Sequence, residues 1–84
     1  MRIIFSPEAL EDQRHFKEHA PKAAEKIKRL LENILESPFA GLGKPEPLKH
    51  GLSGYWSRRI DREHRLVYKV TADTVYIVSC RYHY

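Results

Sequence analysis

The sequence predicts an α+β fold: a small twisted, mainly antiparallel sheet with two N-terminal helices packed on one of its faces. Three observations predict it. Residues 1–36 hold two helix starts marked by proline and an apolar spacing of three and four residues. Residues 55–84 hold three β-branched and aromatic runs with short polar connections. Between them lies a stretch, 38–47, crowded with proline and glycine. The chain has 84 residues, which suits one domain, 1–84, with one modest core and no room for a cofactor-binding unit. No cofactor is expected.

Arg2-Ile3-Ile4-Phe5 reads as a short strand. Ser6 follows as a helix N-cap and Pro7 as the first helical position, with Glu8, Glu11 and Asp12 in the opening turns. This helix is expected to run to about His19. Its stripe of Ala9, Leu10, Gln13 and Phe16 is thin. Pro21 starts a second helix, whose Ile27, Leu30, Leu31, Ile34 and Leu35 define a clear apolar face before Ser37-Pro38 ends it. The 38–47 stretch is expected to be loop, with Pro45 and Pro47 stiffening the backbone around Glu46. Three strands follow, over Tyr55–Ile60, Arg65–Val70 and Thr74–Tyr84, and their short connections favour an antiparallel meander. With the helices on one face, the other is left to present charge.

The net charge of +4 is unevenly placed. Residues 1–36 hold seven Lys/Arg and seven Asp/Glu, so they sum to zero. Residues 37–84 hold eight against four, which is the whole excess. A localised basic surface suits a polyanion, nucleic acid above all, or is simply a basic solvated face. No apolar run reaches membrane-spanning length and no signal-peptide pattern opens the chain. The lone Cys80 excludes an internal disulfide. A cytoplasmic protein with no membrane partner is expected.

RNA can be cut without a metal when its own 2′-hydroxyl attacks the neighbouring phosphate. The reaction needs a base for that proton, an acid for the departing 5′-oxygen, and cations for the charged transition state. The basic half supplies all three. Glu46 is the candidate general base, on a stiff loop among Lys44, Lys49 and His50. His83 is the candidate general acid, because imidazole gains and loses protons near neutrality. The α-carboxylate of Tyr84, one residue on, is expected to favour its charged form. Arg65 and Arg59 are candidates for bidentate phosphate binding, with Arg58, Arg62, Lys49, Lys69 and Arg81 competing for the role. Tyr84 is the aromatic retained as functional, for substrate positioning. The five scattered His and single Cys form no metal-ligand spacing, so no metal site is expected.

Four motifs now stand in order: Lys44-Pro45-Glu46-Pro47-Leu48-Lys49-His50, Leu52-Ser53-Gly54-Tyr55-Trp56-Ser57-Arg58-Arg59-Ile60, Glu63-His64-Arg65-Leu66-Val67-Tyr68 and Cys80-Arg81-Tyr82-His83-Tyr84. Together they closely resemble the YoeB (Txe/YoeB) toxins, of the RelE/ParE superfamily of type II toxin–antitoxin systems. The resemblance covers the full length. It departs at Gly51, where a larger polar residue such as Asn is expected, and at Tyr55, which replaces Phe.

The resemblance implies a ribosome-dependent endoribonuclease that cuts mRNA in the aminoacyl-tRNA site and so inhibits translation. It matches Glu46 to the family's base, Arg65 to its phosphate-stabilising arginine and His83 to its acid. It matches Tyr84 to the terminal tyrosine that positions substrate, and Lys49 and Arg59 to further RNA-binding residues. The implied partners are the ribosome with its mRNA, a YefM-like antitoxin, and operator DNA bound through the antitoxin complex. Homodimers are known in the family, so self-association is a further expectation. The superfamily also contains gyrase-directed toxins without the catalytic set, and a plain nucleic-acid binder would use the same bases. The Glu46/Arg65/His83 combination separates these readings, because a binder does not need it.

Overall fold

A computed structural model of the chain describes residues 1–49, 51 and 53–81. The elements in chain order are β1 (Arg2–Phe5), α1 (Pro7–His19), α2 (Pro21–Glu36), β2 (Glu46–Pro47), β3 (Tyr55–Arg59), β4 (Arg65–Val70) and β5 (Thr74–Ser79). One five-stranded sheet has the order β1-β5-β4-β3-β2. The short connections after β3 and β4 make those pairings antiparallel, and β2 joins β3 in the same sense. β1 lies parallel to β5, an arrangement that needs a long connection between the two strands. The intervening helices and three strands provide it.

Each helix begins as its sequence dictates. Ser6 Oγ accepts from the Ala9 N–H at 3.0 Å, capping α1, and donates to the Val78 carbonyl at 2.7 Å. α2 has no side-chain cap and relies on Pro21, whose missing N–H needs no partner there. The buried faces of the two helices, Ala9 and Phe16 with Ala23, Ile27, Leu30 and Ile34, close on Leu66, Tyr68, Val75 and Ile77. Alternation along β4 and β5 puts those four sheet residues on one side, so both helices cover one face. The α+β fold with helices on one face is therefore as the sequence predicts.

Several details differ. Leu10 is exposed, whereas Asp12 is buried and accepts from the Cys80 N–H at 2.8 Å. That bond takes Cys80 out of the ladder, so β5 ends at Ser79 and not beyond it. The remainder of the expected third strand, residues 82–84, lies outside the described residues. β3 ends at Arg59 because the Ile60 N–H turns to the His64 carbonyl, 3.0 Å away. The intervening turn is closed by Asp61, whose Oδ1 accepts from the Glu63 and His64 N–H groups. Leu35 stays largely exposed. Within the expected loop, Glu46 and Pro47 form a strand at the sheet edge, where a proline is tolerated.

Candidate active site

Arg58 organises the ground beneath the site. Alternation aims it at the helix side of β3, where it is completely buried. Its Nε donates to Tyr68 Oη at 3.1 Å. Nη1 donates to Asn33 Oδ1 (2.6 Å) and the Leu42 carbonyl (3.1 Å), and Nη2 to the carbonyls of Ser37 (2.6 Å) and Ala40 (2.9 Å). All five donors are thereby used. The acceptors include the C-cap residue of α2, where the helix dipole is negative. Arg58 is therefore not a phosphate ligand; it is the peg around which the 37–42 loop is wound. Tyr68 Oη completes the arrangement by donating to the Pro38 carbonyl at 2.7 Å. Burial pushes the Tyr68 phenol above its ordinary range, against the opposing effect of Arg58.

The loop can wind this tightly because of glycine. Gly41 has φ +107°, and a Cβ there would sit 2.2 Å from Asn33 Oδ1. The chain then meets β3: the Arg59 N–H donates to the Gly43 carbonyl at 2.7 Å, and the Leu48 N–H to the Tyr55 carbonyl at 2.8 Å. These bonds flank β2 on both sides and fix Glu46.

On the sheet face away from the helices, Glu46 stands opposite Ser57, Ser57 opposite Val67, and Arg59 opposite Arg65, with Ser57 and Val67 buried. Partners in register share a face. The Arg65 guanidinium lies along it, with Nε donating to Ser57 Oγ at 3.1 Å and Nη2 to Glu46 Oε1 at 2.5 Å. The Arg65 side chain is 14% exposed and that of Glu46 61%, so the cation is held and the carboxylate is presented. Arg59 faces Arg65 directly, and like charges in that relation oppose folding. Glu46 offsets part of this repulsion, and an incoming phosphate would offset more.

The structure thus brings together Glu46, Arg65 and Arg59 from the sequence-predicted set. Lys49 lies at the surface two residues past β2. His83 and Tyr84 lie outside the described residues. Among the described residues, the ion-pair partner of Glu46 is Arg65, not its sequence neighbours Lys44 or Lys49. Of the competing bases, Lys69 places Nζ 5.2 Å from the centroid of the Tyr55 ring on the same open face. Arg62 is exposed in the β3–β4 turn. Arg81 is half-buried, and its charge helps hold the His15 imidazole below its usual range. Desolvation is the larger cause there, His19 and His64 act in the same sense as Arg81, and Asp12 opposes them.

Two residues escape the sequence reading: Ser57 in the site, and Asp12 behind it on α1. Strand alternation from Arg59 marks Ser57 as sharing its face. A carboxylate four residues before Phe16 on the apolar stripe of α1 marks Asp12 as buried. Cys80, beside Asp12, has its thiol pushed up to about 12, by burial first and then by that carboxylate. It stays a neutral thiol at neutral pH and is no nucleophile. Among the described residues, no cluster of three or more His, Cys, Asp or Glu is placed to hold a metal ion. A concavity of about 350 Å³ lies between α1 and α2, lined by residues of both helices, among them Lys17, Glu25 and Lys28. It belongs to the helix layer, on the other side of the sheet from Glu46 and Arg65. The open sheet face suits an extended polymer better.

Comparisons with known proteins identify the family. Residues 5–84 match the model of the YoeB-like toxins of bacterial type II toxin–antitoxin systems. The chain is 56% identical to Toxin YoeB of Streptomyces coelicolor, over the full length of both. It superposes on the YoeB dimer of Staphylococcus aureus with a TM-score of 0.94 at 48% identity, covering 100% of this chain and 98% of that one. It superposes on a YoeB chain in the heterotetrameric YoeB–YefM toxin–antitoxin complex of Staphylococcus aureus with a TM-score of 0.90 at 49% identity, covering 98% and 95%. Sequence, fold and family model agree: this chain belongs to the YoeB-like toxins of bacterial type II toxin–antitoxin systems.

Proposed function

We propose that the chain is an endoribonuclease that cuts mRNA on the translating ribosome by 2′-hydroxyl attack, without a metal. The observation that carries this reading is the Glu46–Arg65 pair on the open face, with Arg59 directly opposite Arg65. A scissile phosphate would enter between the two guanidiniums and draw Arg65 away from the carboxylate. Glu46 would then take the 2′-hydroxyl proton while the arginines stabilise the pentacoordinate phosphorane. His83 is the proposed acid for the 5′-oxygen, and Tyr84 and Lys49 the proposed contacts that position the strand.

A YefM-like antitoxin is the proposed partner, supported by the complex formed by the Staphylococcus aureus relative. With it the chain is proposed to repress its own operon at operator DNA. Self-association is supported by the dimer of the same species. A ribosomal substrate would place the protein in the cytoplasm, and no helix among the described residues is long and apolar enough to cross a membrane.

The test is in vitro translation of a defined mRNA with mapping of the cut ends. Wild type should cut within the ribosome-bound stretch, with EDTA leaving the chemistry unchanged at magnesium levels that keep ribosomes intact. Glu46→Gln and His83→Ala should each lower cleavage by about 100-fold or more, the loss typical of removing a positioned acid or base. A wild type that blocks growth but leaves the mRNA whole would overturn the reading.

A further inference from the structure

The open face extends past the Glu46–Arg65 pair. Two same-face rungs along the β3–β4 ladder from Arg65, Tyr55 stands opposite Lys69, and Lys69 is in register with Tyr76 on β5. Tyr76 in turn is in register with Ile4 of β1. These side chains share the face of Ser57 and Arg65, because Tyr55 and Ser57 are two residues apart on one strand. That step is roughly 7 Å. Tyr76 is 40% exposed, and the Lys69 ammonium lies 5.2 Å from the Tyr55 centroid. The helices cover the opposite face, so neither tyrosine is needed to fill the core described above.

We propose that Tyr55, Lys69 and Tyr76 form a stacking platform for single-stranded RNA that flanks the cleavage centre. The rings would receive unpaired bases, and Lys69 between them would meet the connecting phosphate. Alternating π surfaces and cations are what non-sequence-specific single-strand binding uses. The platform lies on the same face as Arg59 and Arg65, beyond the buried Ser57–Val67 rung, so one extended strand would reach both by spanning that rung. A protein partner would be served as well by the rings, but it gives no reason for a cation between them on a face that already gathers Arg59 and Arg65. The choice of RNA rests on the endoribonuclease reading.

The test uses the full chain carrying Glu46→Gln, so that bound RNA stays intact, and a fluorescent uncleaved oligoribonucleotide as probe. Anisotropy titrations at several salt concentrations give affinity and its salt slope. Tyr76→Leu and Tyr55→Leu should each weaken binding by about ten-fold, while Tyr76→Phe and Tyr55→Phe should bind as the parent does. Lys69→Gln should lower the salt slope by about 0.7, the share of one phosphate on a single strand. Thermal melts matching the parent would show that the surface changes leave the fold intact. Leucine variants that bind as tightly as the parent, with an unchanged slope for Lys69→Gln, would overturn the platform. So would leucine variants that keep RNA affinity but lose self-association or antitoxin binding, because the face would then be a protein contact. A wild type that binds the probe through these residues yet leaves translated mRNA whole would retire the cleavage reading and keep the platform.

Discussion

At Arg65 the guanidinium is fixed at two of its donors, by Ser57 on β3 and by Glu46 on β2. Ser57 is fully buried and Glu46 is presented to solvent, so the two anchors differ in permanence. A ligand can displace the carboxylate, but the serine holds. On the proposed reading, Ser57→Ala should therefore lower the turnover of mRNA cleavage by about 10- to 100-fold, matching the ~1.5–3 kcal/mol of a hydrogen bond to a charged group. Ser57→Thr should recover part of it. Single-turnover kinetics on stalled ribosomes, with melting temperature as the control, would check this; a fall in stability alone would make Ser57 merely structural. Arg58, next along the strand, behaves oppositely. Arg58→Leu should cost roughly 3 kcal/mol or more in urea unfolding, because three carbonyls and Asn33 lose their donors in the interior. Arg58→Lys should not rescue it, since an ammonium cannot reproduce the planar fork. The sequence shows Arg58 and Arg59 as equivalent bases. Only strand parity and the loop that folds back over Arg58 tell a peg from a ligand.

At the scale of elements, α1 is a tether between the start of the chain and the end of β5. Its cap bonds Val78 and its buried Asp12 bonds Cys80. Ser6→Ala should destabilise the fold by about 1–2 kcal/mol, since it removes both a helix cap and a bond to the sheet. Ser6→Thr should restore most of the loss, as read from the chemical-denaturation midpoint. The helices, the two hairpin turns and the α+β class are legible in the sequence, because proline, glycine and apolar spacing act locally. β2 is not, because Pro45 and Pro47 signal loop and the strand exists only through pairing with β3. The end of β5 is not legible either, because a side chain 68 residues earlier decides it. Of the candidate site, Glu46, Arg59 and Arg65 are legible as residue types. Their convergence depends on register, which no spacing rule supplies.

At the scale of the whole molecule, a neutral helical layer supports a sheet whose other face carries Arg59, Lys69 and the Arg65–Glu46 pair. The buried thiol ties this layer's stability to alkaline pH. Cys80 has its folded value raised from 9.0 to about 12, so its contribution is present in full below about pH 9 and is lost as pH rises towards 12. Tyr68, also raised by burial, adds to the loss in the same direction. Unfolding free energy should fall steadily above about pH 9, and Cys80→Ala, whatever its cost at neutral pH, should flatten that fall. In the native protein the thiol should resist alkylation at pH 8 and become fully reactive in denaturant.

The parallel pairing of β1 with β5 has a consequence for the timing of synthesis. Residues 2–5 are made well before their sheet partners, 74–77. Neither the edge strand nor the helix tether can lock until Cys80 has cleared the exit tunnel. The sheet therefore closes only after its strand β5 has been made. On the cleavage reading proposed above, a growing chain would be harmless to the ribosome making it, and a neutralising partner would have an interval in which to reach it.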